Sequence, residues 1–211
     1  MAGSSSDFNP ESRPSVWLCH QTDGPEIAHP HWLTDYERQT ASKFSGPRER
    51  EYLSSRWLIR QAIGKSARVS PQHCCPVAGR PNASGTPEGW RLSLSHSQGL
   101  SACATLSGSP IGLDLEPCQR HAQWQKVVKR WFSPVEQEWL FREDDSNTFL
   151  KVWTLKEAWL KATGRGIAGN LQTLEVRKNF EIYGDQPEQD WQAACCYIEG
   201  YLLTVVYRGS R

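Results

Sequence analysis

The chain of 211 residues is short of several things, and each shortage excludes a class of protein. No apolar run approaches the roughly 20 residues needed to cross a bilayer, so no membrane-spanning helix is expected. Net charge is only +1. Domains that bind nucleic acid are usually strongly basic, so no nucleic-acid partner is expected. None of the seven cysteines (Cys19, Cys74, Cys75, Cys103, Cys118, Cys195 and Cys196) falls in a Cys-x-x-Cys pair, which argues against zinc. The odd count and the two adjacent pairs fit a reducing, cytoplasmic setting. Cys103 and Cys195 sit in strand-like runs, where a free thiol behaves as a small hydrophobe. The sequon Asn82-Ala83-Ser84 is then unused. Residues 1–15 are polar and rich in Ser and Pro, lack the basic start and apolar segment of a secretory leader, and read as a flexible tail.

What the chain does have is centred on Ile111-Gly112-Leu113-Asp114-Leu115-Glu116. Apolar and polar residues alternate with period two, as in a strand with one buried face. Ile111, Leu113 and Leu115 face one way, Asp114 and Glu116 the other. Their Cα atoms lie about 7 Å apart along such a strand, within reach of one cation. Surface strands also carry acids on a wet face, so this stretch alone decides nothing.

Before it, Val16–Cys19 reads as a strand, and Thr34-Asp35-Tyr36-Glu37 is a capping box opening a helix toward Phe44. Pro47 suits the first turn of a second helix, which is expected to run to about Ile63 and stop at Gly64. Its apolar stripe is Tyr52, Ile59 and Ile63. Arg56 lies on that stripe, where a covered charge needs a partner. Residues 71–89 read as a Pro/Gly/Ser-rich loop, and Arg91–Ser95 and Leu100–Leu106 as strands. The turn Ser107-Gly108-Ser109-Pro110 marks a boundary between an N-terminal subdomain (16–106) and a C-terminal one (107–211).

Beyond the acid strand, Trp124, Val127, Val128 and Trp131 have the spacing of an amphipathic helix. Ser133-Pro134-Val135-Glu136 opens another. A third runs from about Asn147 to Ala162, with Leu155, Ala158, Trp159 and Ala162 on its apolar face and Thr154, Glu157 and Lys161 on a polar stripe; Gly164 ends it. Strands follow at 174–176, 180–183, 191–198 and 201–207, the last two joined by a two-residue turn at Glu199-Gly200. Gly164-Arg165-Gly166-Ile167-Ala168-Gly169 has the glycine spacing of a dinucleotide loop, but a helix precedes it instead of a strand, so it reads as a helix exit. Ser95 and His96 are adjacent on a strand and point to opposite faces, which speaks against a serine nucleophile with its base. Glu157 and Lys161 form an i,i+4 pair of the kind that commonly just steadies an exposed helix by a few tenths of a kcal/mol.

Taken together, however, Asp114-x-Glu116, followed by Trp153-Thr-Leu-Lys-Glu-Ala-Trp-Leu-Lys161, resembles the double signature of the 4′-phosphopantetheinyl transferases. Gly112, Arg130-Trp131-Phe132-Ser133 with Glu136, Gly164-x-Gly166, Gly79-Arg80-Pro81 and Leu94-Ser95-His96-Ser97 resemble the larger, surfactin-synthetase-activating class. The resemblance covers roughly residues 48–171.

That resemblance implies an α/β (α+β) fold of two similar halves, each a small mainly antiparallel sheet packed with helices, with the cofactor in a cleft between them and the chain acting as a monomer. It implies transfer of phosphopantetheine from coenzyme A to a serine of an acyl or peptidyl carrier protein. Asp114, Glu116 and Glu157 would be the acids for Mg²⁺, or Mn²⁺, with Glu116 reaching it directly or through water. Glu157 would take the serine proton, and Lys161 would stabilise the leaving phosphate, with Lys156 at the same oxygens. Arg48 and Arg56 would grip the 3′-phosphate of coenzyme A, Arg50 being an alternative to Arg48. Arg80 would lie near the nucleotide, and Ser95 and His96 at the phosphates. Lys126, Lys129 and Arg130 are candidates to dock an acidic carrier. The rival readings are a metal-dependent nucleotide pyrophosphatase and a silent coenzyme A-binding protein.

Overall fold

The stretch Leu100–Ser107 sets the architecture because both of its faces are buried. Leu100, Ala102, Ala104 and Leu106 pack one way, against Ile111, Leu113, Leu115, Leu203 and Val205. Cys103 packs the other way, against Leu58, Ile59, Ala62 and Ile63. A strand dressed on both faces must lie between two layers.

The computed structural model describes residues 13–20, 31–79, 82–119, 123–166, 171–184 and 191–209. In chain order the elements are β1 (Ser15–His20), α1 (Asp35–Ala41), α2 (Pro47–Ala67), β2 (Cys75–Pro76), β3 (Ser84–Thr86), β4 (Trp90–Ser97), β5 (Leu100–Ser107) and β6 (Ile111–Pro117). Then come α3 (Trp124–Trp131), α4 (Pro134–Glu143), α5 (Ser146–Thr163), β7 (Leu174–Val176), β8 (Ile182–Gly184), β9 (Trp191–Ile198) and β10 (Tyr201–Arg208).

Two three-stranded antiparallel sheets, ordered β1-β5-β4 and β6-β10-β9, stack through the core just described. Both have one connectivity: the first and second strands in the chain take the edges and the third takes the centre. Helix α2 covers the outer face of the first sheet. Helix α5 covers the second, and buries Trp159 and Leu160 with α3, α4 and β7. The mixed α+β fold with small antiparallel sheets and flanking helices is as expected.

Local chemistry explains most boundaries. The Thr34 and Ser133 capping boxes close on Glu37 and Glu136. Asp145 caps α5 by accepting from the Asn147 and Thr148 N–H groups, and Gly164 ends it in the left-handed conformation. Glu199 and Gly200, both at positive φ, form the turn from β9 to β10, as a right-twisted hairpin prefers. Three expectations need correcting. Helix α2 continues past Gly64 to Ala67, with Arg68 as its left-handed cap. Gly64 is there for space: a Cβ would come 2.9 Å from the Val69 carbonyl oxygen as the chain turns back. The loop at 71–89 contains the small hairpin β2–β3. Cys195 is exposed on an edge strand and is not a core residue, although all seven cysteines are free thiols. Among the described residues, no helix is long and apolar enough to cross a membrane.

Gly112 fixes how the acid strand meets α5. A Cβ on it would lie 1.8 Å from the Ala158 carbonyl oxygen and 2.5 Å from the Ala162 nitrogen. The strand and helix backbones therefore touch, with no side chain between them. Gly112→Ala is expected to lower stability by about 3 kcal/mol, at the upper end of the usual cost of overpacking, because the obstacle is backbone and cannot rotate away. Chemical denaturation measures this; an unchanged midpoint would show that the two elements are free to part.

Candidate active site

The contact at Gly112 brings β6 against the polar stripe of α5. The face that the alternation pattern left open to water is covered by the helix, and Asp114 is only 2% exposed. Its Oδ1 accepts from Lys161 Nζ at 2.8 Å and from Ser95 Oγ at 3.1 Å. Lys161 also donates to Ser95 Oγ at 3.1 Å and stands 3.9 Å from Glu157 Oε2. Ser95 arrives from β4, whose seam with β6 has no backbone ladder: Ser93 and Ser95 hydroxyls accept from the Leu113 and Leu115 N–H groups instead. Asp114, Glu157, Lys161 and Ser95 thus converge from β6, α5 and β4.

The electrostatics of this cluster are unbalanced. Burial, reinforced by the negative charges of Asp114 and Glu116, pushes the Glu157 carboxyl up to about 8, against a smaller opposing pull from Lys161. Asp114 Oδ2 is buried and, among the described residues, has no donor. Carboxylate oxygens held with too little positive charge are what a hard divalent cation binds, so the donor set fits Mg²⁺ or Mn²⁺. Among the described residues, no three ligating side chains are yet drawn together closely enough to hold an ion as they stand. Lys161 lies on the acids.

Beside Glu157 and Glu116 lies a hollow of about 400 Å³ walled by Trp124, Val127, Phe149 and Trp153. Its aromatic wall was not foreseen, although Phe149, Trp153, Glu157 and Lys161 recur every fourth residue and so climb one side of the helix. On the other side of β4, His96 lines a hollow of about 670 Å³ together with Arg48 and Arg56. Arg50 is not part of its wall. Arg56 stacks on Tyr52 at 5.0 Å and donates through Nε to Ser55 Oγ at 3.2 Å. Burial pulls its guanidinium below the usual range, and among the described residues no carboxylate pairs with it. The nearby Glu37 is taken by Arg60, at 2.6 Å, in a buried ion pair that the sequence reading missed. His96 Nδ1 sits 3.2 Å from Glu51 Oε1.

Lys156 is not where the resemblance put it. It is fully buried on a different side of α5 from Glu157, and both oxygens of Glu136 accept from its ammonium at 2.7 Å. Five positions apart on a helix, Lys156 and Lys161 point about 140° apart, so with Lys156 sealed on Glu136 the two do not serve the same oxygens. Glu136 also accepts from the Ser133 and Val176 N–H groups. These four hydrogen bonds, from three donor groups, tie α4, α5 and β7 together. Removing one partner of such a pair typically costs 3–5 kcal/mol. Arg80 falls outside the described residues, as do residues 167–169 of the glycine-spaced loop.

Residues 110–206 match the family model for the 4′-phosphopantetheinyl transferase superfamily. The chain is 33% identical over 156 residues to the 4′-phosphopantetheinyl transferase HetI of Nostoc sp., covering 68% of this chain and 64% of that protein. It is 29% identical over 122 residues to the 4′-phosphopantetheinyl transferase Sfp of Bacillus subtilis, covering 56% and 52%. To the L-aminoadipate-semialdehyde dehydrogenase-phosphopantetheinyl transferase of Schizosaccharomyces pombe it is 28% identical over 191 residues, covering 80% and 74%. The chain thus spans between about half and three quarters of the length of these relatives.

The high value for Glu157 has a measurable sign. In buffer without divalent salt, the folded chain keeps a proton on Glu157 between the ordinary 4.5 and about 8, where the unfolded chain has lost it. The folded state binds more protons across that window, so stability falls as pH rises through it. Melting temperature is expected to decline from about pH 5 to about pH 8.5 more steeply for the wild type than for Glu157→Gln, whose amide does not titrate. Parallel curves would remove the charge conflict.

Proposed function

The chain belongs to the 4′-phosphopantetheinyl transferase superfamily, and on that footing we propose that it transfers the 4′-phosphopantetheine group of coenzyme A to a serine of an apo acyl or peptidyl carrier protein. The observation that carries this reading is the convergence of Asp114, Glu157 and Lys161 beside an open hollow, with the Arg48, Arg56 and His96 hollow across β4. The cleft for coenzyme A runs between the two halves, which divide at residues 107–110. The matched connectivity of the two sheets supports that division. A single chain supplying both halves acts as a monomer of the larger, surfactin-synthetase-activating class.

In the reaction, the carrier serine oxygen bonds to the phosphorus that bears pantetheine. The bond from that phosphorus to the bridging oxygen breaks, and adenosine 3′,5′-bisphosphate leaves. Glu157 accepts the serine proton, directly or through water. Lys161 stabilises the phosphate that departs. Arg48 and Arg56 hold the 3′-phosphate, for which a guanidinium fork is suited, and His96 and Ser95 hydrogen-bond the phosphates. A Mg²⁺ or Mn²⁺ ion held by Asp114, Glu157 and, directly or through water, Glu116 would supply the charge that keeps Glu157 ionised and neutralises the pyrophosphate.

The assay is to incubate the chain with coenzyme A, Mg²⁺ and an apo carrier protein and weigh the carrier. A gain of one phosphopantetheine is expected. Glu157→Gln should reduce the rate by about 100-fold or more, the usual share of a general base. Nucleotide release without a mass gain would instead indicate a pyrophosphatase, and neither outcome a silent binder.

Helix α3 presents Lys126, Lys129 and Arg130 to solvent while Trp124 and Val127 wall the hollow beside Glu157. A basic rim around an apolar recess suits an acidic carrier. Reversing both lysines, Lys126→Glu with Lys129→Glu, should raise the carrier KM about tenfold and leave the coenzyme A KM unchanged, since rim charges act mainly on encounter. An unaltered carrier KM would reject the docking role.

A further inference from the structure

Lys161 is engaged twice over. Its ammonium donates to Asp114 Oδ1 at 2.8 Å and to Ser95 Oγ at 3.1 Å, and it lies 3.9 Å from Glu157. It therefore rests among the acids assigned to the divalent cation and away from any position where it could meet a departing phosphate alone. Two cations cannot share that space cheaply. A Mg²⁺ ion binds carboxylate oxygens at about 2.0–2.1 Å, which would set it within an ammonium's reach of Lys161 in a buried, weakly screened place. Lys161 has somewhere to go: it is the more exposed member of the pair, at 26% against 3% for the Asp114 side chain. Its four-carbon stem is flexible, whereas Asp114 is fixed by the strand that Gly112 presses onto α5.

We propose that Lys161 and the divalent cation compete for Asp114, so that loading the cation is what releases the Lys161 ammonium to face an anionic oxygen of the substrate. The cluster is thus a two-position device, with Lys161 as the resident counter-charge until a metal ion displaces it. This rests on the reading of Asp114 as a metal acid. By linkage, the factor by which Lys161 weakens cation binding at Asp114 is the factor by which the cation weakens the hold of Lys161 there.

The test is titration calorimetry of Mg²⁺ into the full chain without coenzyme A, comparing wild type, Lys161→Met, Lys161→Arg and Asp114→Asn. Lys161→Met removes the charge at similar volume and should bind Mg²⁺ at least tenfold more tightly than wild type. Lys161→Arg, which keeps the charge, should stay within about threefold of wild type. Asp114→Asn should bind far more weakly. If Lys161→Met binds no better than wild type while Asp114→Asn is still impaired, the metal site stands and the competition is overturned. If Asp114→Asn binds as well as wild type, the metal site itself is refuted and the competition with it. The unmutated chain gives a second readout. In protein labelled with ¹⁵N at lysine Nζ, the Lys161 ammonium signal should shift with the same midpoint as the calorimetric titration. A signal unmoved at saturating Mg²⁺ overturns the proposal.

Discussion

One close approach governs the geometry of this chain. At Gly112 the backbone of β6 lies directly on that of α5, closer than any side chain would permit. The contact sets the height at which Asp114 faces Glu157 and Lys161, and it buries acids that an uncovered strand would leave in water. The helix is anchored from its other side by the buried Lys156–Glu136 pair and by the Thr154–Thr204 hydroxyl contact to β10, at 2.7 Å. Strand and helix are thereby held in one register, as a site built on rigid elements requires.

The two lysines of that helix show how position decides role. Lys156 is sealed, its ammonium matched by a carboxylate that is itself saturated with donors. It contributes specificity of packing and has no freedom to move. Lys161 is partly exposed, shares its acid with a serine and sits near a second acid. The two cations stand five positions apart, one built for permanence and the other for exchange. Glu157 lies between them in sequence and carries the imbalance of the cluster in its raised carboxyl.

Much of this was legible from the residues. Alternation at 111–116 gave the strand and its two faces, the capping boxes gave the starts of α1 and α4, and the i,i+4 spacing put Glu157 and Lys161 on one stripe. What could not be read depends on partners distant in the chain. Period two cannot tell a wet face from one covered by a helix, so the burial of Asp114 was hidden. A lysine beside a motif glutamate looks like part of the site until the helix is turned and Glu136 is found waiting for it. Gly64 looked like a stop because glycine serves both for left-handed caps and for tight spaces, and only the returning chain at Val69 distinguishes the two. The aromatic wall of Trp124, Phe149 and Trp153 joins two helices that sequence distance keeps apart.

The central place of β10 in its sheet has a temporal consequence. Strand β6, which carries Asp114, has β10 as its ladder partner, Ile111 opposite Tyr207 and Pro117 opposite Tyr201. During synthesis the acid strand and α5 emerge well before that partner exists. They can dock at Gly112, but the strand's hydrogen-bonding edge waits for residues made much later, and contacts so far separated in sequence form slowly. The first sheet shares this plan over a similar span but earlier in the chain: β5 follows β4 after a tight turn, as β10 follows β9, and closes on β1. Assembly of the half that holds the acids is therefore the later event, and a nascent chain halted before β10 would leave β6 with an unsatisfied edge.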